Sequence, residues 1–280
     1  MKKSFMVVFS MILILGLLIS GCKPKPTQEN VTDPIEPGGY PNPVEQPTIS
    51  EGAGYPTNVV IRIATDATFP PFEMVDEATK ELTGFDIELM KAIAEKAGFQ
   101  YEFVNLPFDP MLAGVAGCQY DMAIAAITIT DERKQQFLFS DPYIDAGQII
   151  IVKSDDDSIK TKDDLNGKTI GAQLGTTGEI EAQAIPGITY KPYDTYDLAF
   201  LDLANGQIDA VIADYPTALG FIAQNPDKLK TVGEKFTNES YGIAICNSRS
   251  DLLAMINPAL QAVKDAGTIE QLAGKYLTGQ

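Results

Sequence analysis

The run AGCQYDMAIAA at 116–126 recurs at five identical positions as ANGQIDAVIAD at 204–214. Each copy reads as the end of a helix, a polar turn and an apolar strand. A chain that repeats this unit is constrained toward two α/β units of one kind, each with its own sheet. On this reading Ala126 and Asp214 end equivalent strands. Open α/β sheets bind ligands beyond the carboxyl ends of their strands, so both residues are expected to face one shared cleft.

The rest of the chain alternates apolar strands with amphipathic helices. VVIRIAT from Val59 predicts a strand, followed by the loop DATFPPFE, which carries Asp66, Phe69 and Phe72. A helix is expected over 86–97, with Ile87, Met90, Ile93 and Ala94 on one face and Gly98 as terminator. A strand over 101–105 and a short helix over 108–117 lead into the strand 121–126. There follow a Thr-rich turn and a short helix opened by Asp131 and Glu132, with Arg133 in its first turn. After Tyr143 the pattern restarts with the strand GQIIIVK (147–153) and a capped turn at 161–165. KTIGAQLGTTGEIEAQA then reads as strand, Gly-Thr turn and helix. A short strand (188–193), a helix (195–204), the strand ending at Asp214, a helix (215–223) and the strand SYGIAIC (240–246) follow. Helices over 250–266 and 268–277 close the chain, and Pro258 predicts a kink or break near Asn257.

Composition narrows the chemistry. The 280 residues contain no histidine, which removes the commonest general base and metal ligand and excludes a Ser–His–Asp triad. Three cysteines are too few for a thiolate metal site once Cys22 is set aside, and no cofactor is expected. The formal net charge of −17 repels nucleic acid and anionic head groups, so nucleic-acid binding is not expected.

The run ITITDERK followed by FSDPY resembles the signature of the amino-acid-binding proteins of ATP-binding-cassette importers, solute-binding family 3. The resemblance extends over about 59–277. It implies an α/β chain with the two-lobe type II periplasmic-binding-protein fold, joined by two hinge crossovers with a ligand cleft between the lobes. Lobe one would take 59–143 and 241–280, and lobe two 146–238. The implied role is capture of a free L-amino acid and its delivery to a membrane permease, without catalysis. Such a protein is expected to be a monomer.

Family roles carry over residue by residue. Arg133 and Thr128 hold the ligand's α-carboxylate, joined by the amide of Thr177 in the turn Gly175-Thr176-Thr177-Gly178. Asp214 accepts the α-ammonium, sharing it with the Thr128 hydroxyl and the carbonyl of residue 126. Many members have Gly there, but Ala126 keeps the carbonyl. Phe69 and Phe108 match the aromatic walls around the ligand side chain. Asp66 and Gln173 are the expected selectivity residues, with an arginine or lysine side chain favoured over glutamine. Two readings stand beside this one: a glutamine-binding member of the family, and an enzyme resembling cyclohexadienyl dehydratases on the same fold. Tyr143 and Tyr241 lie at the expected crossovers, either bracing the hinge or touching the ligand.

At the start, Lys2 and Lys3 precede an apolar run to Ile19, then Ser20-Gly21-Cys22, which resembles a bacterial lipobox. Residues 1–21 are thus expected to be a leader and Cys22 a lipid anchor outside the cytoplasm, in a periplasm or at the cell surface. Loss of the leader takes two lysines with it and moves the net charge to −19. Residues 22–58 hold eight prolines and no apolar periodicity. They read as a tether reaching at most about 110 Å if polyproline-like. Outside the cytoplasm Cys118 and Cys246 are free to bridge if their strands lie side by side and antiparallel.

Overall fold

The computed structural model describes residues 59–224 and 226–277; the expected leader, Cys22 and tether lie outside the described residues. In chain order it contains β1 (Val60–Thr65), β2 (Thr68–Phe69), β3 (Glu73–Val75), β4 (Leu82–Thr83), α1 (Phe85–Ala97), β5 (Gln100–Asn105), α2 (Phe108–Ala116), β6 (Met122–Ala123), β7 (Phe137–Phe139) and β8 (Ile144–Ala146). Then come β9 (Gln148–Lys153), β10 (Thr169–Gln173), α3 (Thr177–Gln183), β11 (Thr189–Tyr193), α4 (Tyr196–Ala204), β12 (Ala210–Asp214), α5 (Tyr215–Gln224), β13 (Leu229–Val232), β14 (Glu239–Tyr241), β15 (Ala244–Cys246), α6 (Ser250–Asp265) and α7 (Thr268–Tyr276).

Two five-stranded sheets share one plan. The first has the order β5-β1-β6-β15-β7 and the second β11-β10-β12-β9-β13. In each, three parallel strands are followed by one antiparallel strand and a fifth that runs with the first three. The repeated sequence units become β6 and β12, the third parallel strand of each sheet. β8 and β14 pair antiparallel between the sheets, so the chain leaves sheet one along β8 and returns along β14. The fold is thus two α/β lobes joined by two crossovers.

Both sheets are covered on both faces, which is why their strands read as continuous apolar runs rather than alternating ones. In sheet one, Met122 and Ile245 face a core shared with Leu89, Met90 and Ile93 of α1 and Leu252 and Ile256 of α6. Ala123 and Ala244 face Phe108, Met111 and Val115 of α2. In sheet two, Ile150 and Ile212 face Ala182 of α3, whereas Ile149 and Val211 face Tyr196 and Phe200 of α4. The turn at Thr161 is a capping box, with Asp164 answering the backbone amide of Thr161.

Two expectations are corrected. α6 runs unbroken from Ser250 to Asp265 with Pro258 inside it. Pro258 and Ala254, whose carbonyl it leaves without a helical donor, both lie on the exposed side, where water can take the carbonyl. The buried side, Leu252, Ile256, Ala259, Leu260 and Val263, stays packed. The segment after Thr130 is not an α-helix but a single 3₁₀ turn, Arg133–Gln135. The chain must re-enter sheet one at Phe137, which leaves no room for a second turn.

β6 and β15 are antiparallel, with Ile245 opposite Met122, and Cys118 and Cys246 form a disulfide with Cα atoms 5.2 Å apart. It closes a loop of 128 residues, for which chain entropy gives roughly 4–5 kcal/mol. A chain beginning at residue 23, denatured without reductant, should therefore titrate no free thiol and after reduction two. The reduced protein should melt at a clearly lower temperature; an unchanged melting temperature would contradict the stabilising role.

Candidate functional site

The equivalent strands β6 and β12 point their carboxyl ends toward one narrow pocket, lined by Phe69, Phe108, Ala126, Thr128, Arg133, Thr176, Thr177 and Asp214. Ala126 sits at φ +47°, a left-handed conformation that L-residues adopt at a cost. Its amide donates to Asp86 Oδ2 at 2.7 Å, and the Tyr143 hydroxyl donates to the same oxygen at 2.7 Å. Burial pushes Asp86 up to about 7. Glu73, also fully buried, is pushed well above the carboxylate range by its own burial and by the charge of Asp86.

Arg133 enters from the 3₁₀ turn. No ring of free helical amides surrounds it, because its own amide is capped by Thr130 Oγ1 at 3.1 Å. Its guanidinium bridges the lobes instead. Nη1 donates to the Thr128 carbonyl at 2.8 Å and Nη2 to the Gly175 carbonyl at 2.9 Å. The guanidinium lies 5.5 Å from the Phe108 ring centre, within cation–π range. Burial lowers its pKa, opposed by the charges of Asp214 and Glu239. It remains a cation with donors left for an anion. Thr176 caps α3 by accepting the Glu179 amide at 3.2 Å, and Thr177, the first residue of that helix, lines the pocket.

Asp214 ends β12 opposite Gln148 and is 4% exposed. Its Oδ1 is buried without a hydrogen-bond partner. Burial first, then the nearby charge of Glu239, pushes its carboxyl up to about 7. A buried carboxylate beside the Thr128 hydroxyl, with Tyr241 and Gln148 as neighbouring donors, is an acceptor suited to an ammonium group.

The expected side-chain walls and selectivity residues fall into two groups. Phe69 and Phe108 both line the pocket, and Phe69 also packs against Tyr196 of the second lobe with ring centres 5.5 Å apart. Asp66 and Gln173 are buried and do not line it; they meet each other across the lobes, Gln173 Nε2 donating to Asp66 Oδ2 at 2.9 Å. The second hydrogen of Nε2 goes to the Asp194 carbonyl at 3.0 Å, and Thr68 donates to Asp66 Oδ1. Gln173 Oε1 is left buried and unpartnered. Tyr143 and Tyr241 are absent from the pocket lining. Tyr241 is fully buried, edge-on to Phe72, so both tyrosines brace the crossovers.

Sequence reasoning missed Glu239, Gln148 and Asp86. Glu239 accepts from the hydroxyls of Thr128, Thr177 and Thr237. Two signals were available: a glutamine opening the otherwise apolar strand GQIIIVK, and an acidic residue two before the expected hinge tyrosine. No group of three potential metal ligands occurs among the described residues, and no described helix is long and apolar enough to cross a membrane.

Residues 61–279 match the family described as bacterial extracellular solute-binding proteins, family 3. A probable histidine-binding protein of Campylobacter jejuni is 30% identical over 275 residues, 98% of each chain. A putative ABC transporter arginine-binding protein of Escherichia coli K12 is 36% identical over 222 residues, 77% of this chain and 90% of that one. An ancestral arginine-binding protein bound to arginine superposes with a TM-score of 0.74 at 44% identity, covering 78% of this chain and 97% of its own. Its complex with glutamine gives the same score and identity over 79% and 98%. With this fold, two lobes meeting at the pocket and a family match across nearly all the described residues, the chain belongs to the family 3 extracellular solute-binding proteins.

Proposed function

We propose that this protein captures a free L-amino acid with a cationic side chain, arginine foremost, and hands it to the permease of an ATP-driven importer. The α-carboxylate is taken by Arg133 and the backbone amide of Thr128, with the amide of Thr177. The α-ammonium is taken by Asp214, the Thr128 hydroxyl and the Ala126 carbonyl. Phe69 and Phe108 flank the side chain, and Asp66 with Gln173 reads its end. Lobe one comprises 59–143 and 241–280 and lobe two 146–238. The leader, the anchor at Cys22 and the tether belong to this same reading, which has the protein act as a lipid-held monomer outside the cytoplasm.

The observation that carries the cationic preference is the commitment of Gln173. Both hydrogens of its amide nitrogen are spent on Asp66 and the Asp194 carbonyl, so its free atom is an acceptor, beside a carboxylate. Asp66 lies on lobe one and Gln173 on lobe two, so hinge opening parts them and a ligand group enters between. A guanidinium or ammonium brings only donors to that end. A glutamine amide also brings a carbonyl oxygen, which only the one Nε2 hydrogen released from Asp66 would answer. Bacterial relatives named for arginine or histidine binding favour the same side, whereas another, of Escherichia coli K12, is named for L-cystine binding. Glutamine remains the second reading, because the ancestral relative was also solved with it. The complete amine and carboxylate receptors favour capture over turnover.

A thermal-shift panel of the twenty amino acids separates the two, since stabilisation by a ligand grows as RT ln(1 + [L]/Kd), roughly 4 kcal/mol at a thousandfold excess over Kd. Arginine, then lysine, should give the largest shifts; a large shift with glutamine alone would overturn the cationic reading. Arg133→Ala should weaken binding about 30-fold to several-thousand-fold by calorimetry, the range for breaking a desolvated charge pair. Wild-type affinity in this variant would remove Arg133 from the site.

Asp214 supplies a pH signature. Its carboxyl is raised to about 7 by burial and by Glu239, and only its charged form receives an ammonium. Affinity should fall by up to about tenfold between pH 8 and pH 6, with protons released on binding at pH 6. A folded-state pKa above the unfolded value means that this group favours the ligand-free fold at low pH, an advantage lost as pH rises toward 7. Affinity and ligand-free stability should therefore move in opposite directions across that window. Asp214→Asn should bind weakly with a flat pH profile; an unchanged profile would show that another group titrates.

A further inference from the structure

We propose that Glu239, on the returning crossover, is a positioning residue that sets the direction of the two pocket threonine hydroxyls, so that the Thr128 hydroxyl meets a ligand only as an acceptor. This rests on the amino-acid reading of the site and deepens it to selection of α-amino over α-hydroxy acids.

The backbone brings Glu239 to the pocket. Ile129 donates to the Ser240 carbonyl and Gly242 to the Ile127 carbonyl, so the strand end carrying Thr128 runs antiparallel to the crossover. Glu239 Oε2 then accepts from Thr128 Oγ1 at 2.9 Å, from Thr177 Oγ1 at 2.8 Å and from Gln148 Nε2 at 3.4 Å. Its Oε1 accepts from Thr237 Oγ1 at 2.6 Å. Thr128 belongs to lobe one and Thr177 to lobe two, so one carboxylate gathers hydroxyls from both sides of the cleft.

A hydroxyl has a single hydrogen, and a carboxylate can only accept. Each threonine that spends its hydrogen on Glu239 therefore turns lone pairs toward everything else. The lone pair of Thr177 is taken by Gln148 Nε2 at 3.0 Å. The two threonine oxygens, 3.5 Å apart, then have no hydrogen to share. What remains beside Asp214 and Ala126 is the free lone pair of Thr128. On the amino-acid reading three acceptors serve the α-ammonium there, the Asp214 carboxylate, the Ala126 carbonyl and Thr128 Oγ1, all from residues lining the one pocket. An ammonium has three hydrogens to match them; a hydroxyl has one and leaves two buried acceptors unanswered.

The test measures calorimetric affinities for L-arginine and for its α-hydroxy analogue, which keeps the guanidinium and carboxylate. The proteins are wild type, Glu239→Met and Glu239→Gln, each first checked for a cooperative melt. Wild type should bind arginine and strongly prefer it to the analogue. Glu239→Met, which frees the Thr128 hydrogen, should lose about 10- to 100-fold for arginine, the scale of a charge-assisted hydrogen bond, and little for the analogue. Glu239→Gln can keep its carbonyl oxygen toward Thr128 and Thr177 and its NH₂ toward Thr237, and should bind arginine within about fivefold of wild type on the same scale. Equal losses for both ligands in Glu239→Met would reduce Glu239 to a scaffold residue and overturn the proposal. So would a Glu239→Gln as weak as Glu239→Met. If Glu239→Met does not fold, Thr128→Val serves: it should copy the arginine-selective loss, and an equal loss of both ligands overturns the idea. Failure of wild type to bind arginine at all would instead fault the functional reading beneath it.

Discussion

Much of this structure depends on one buried carboxylate. Asp86 lies in the first turn of α1, is fully buried, and accepts both the Ala126 amide and the Tyr143 hydroxyl. A helix start, the pocket end of β6 and the outgoing crossover are thus tied to one oxygen. The left-handed Ala126 costs on the order of 1–2 kcal/mol, and a hydrogen bond to a charged acceptor offsets it. Without Asp86 the segment beyond β6 would lose the contact that holds the turn at Ala126, a residue that lines the pocket with Thr128 and Asp214.

The contacts across the cleft are mostly polar. Arg133 reaches the Gly175 carbonyl, Gln173 reaches Asp66, and Glu239 holds Thr128 and Thr177 together; apolar contact is made by Phe69 against Tyr196 and by Pro71 beside Gly220. Hydrogen bonds that can be exchanged for water contribute only about 1 kcal/mol each. The crossover ribbon pairs just three residues of β8 with three of β14. Closure built this way is cheap to undo, which suits a cleft that must admit and release a small molecule.

Charge concentrates where the chemistry needs it. Asp214, Glu239 and Arg133 are the charged groups around the pocket, and each shapes the others: Glu239 raises Asp214, while both acids counter the burial penalty on Arg133. A zwitterion presented to this arrangement meets a cation on one side and acids on the other. Its binding therefore relieves the cost of keeping these groups buried.

The sequence by itself determined the α/β class, the repeated unit and most of the elements. These follow from local periodicity and caps, as with the Thr161 capping box and the end of β12 at Asp214, whereas β6 stops at Ala123, three residues before the expected Ala126. It also nominated residues that the fold gathers around one pocket: Phe69, Phe108, Ala126, Thr128, Arg133, Thr177 and Asp214. Tertiary structure decided what depends on neighbours distant in the chain. Arg133 sits in a 3₁₀ turn because β7 must re-enter the sheet at Phe137, and α6 continues through Pro258 because its buried face holds it. The bridge between Cys118 and Cys246 required β6 and β15 to lie antiparallel. The mutual contact of Asp66 with Gln173 and the hold of Glu239 on both threonines were beyond sequence reading for the same reason. A hydrogen bond is directional and short, and which donor meets which acceptor across two lobes is settled only when the lobes are placed together.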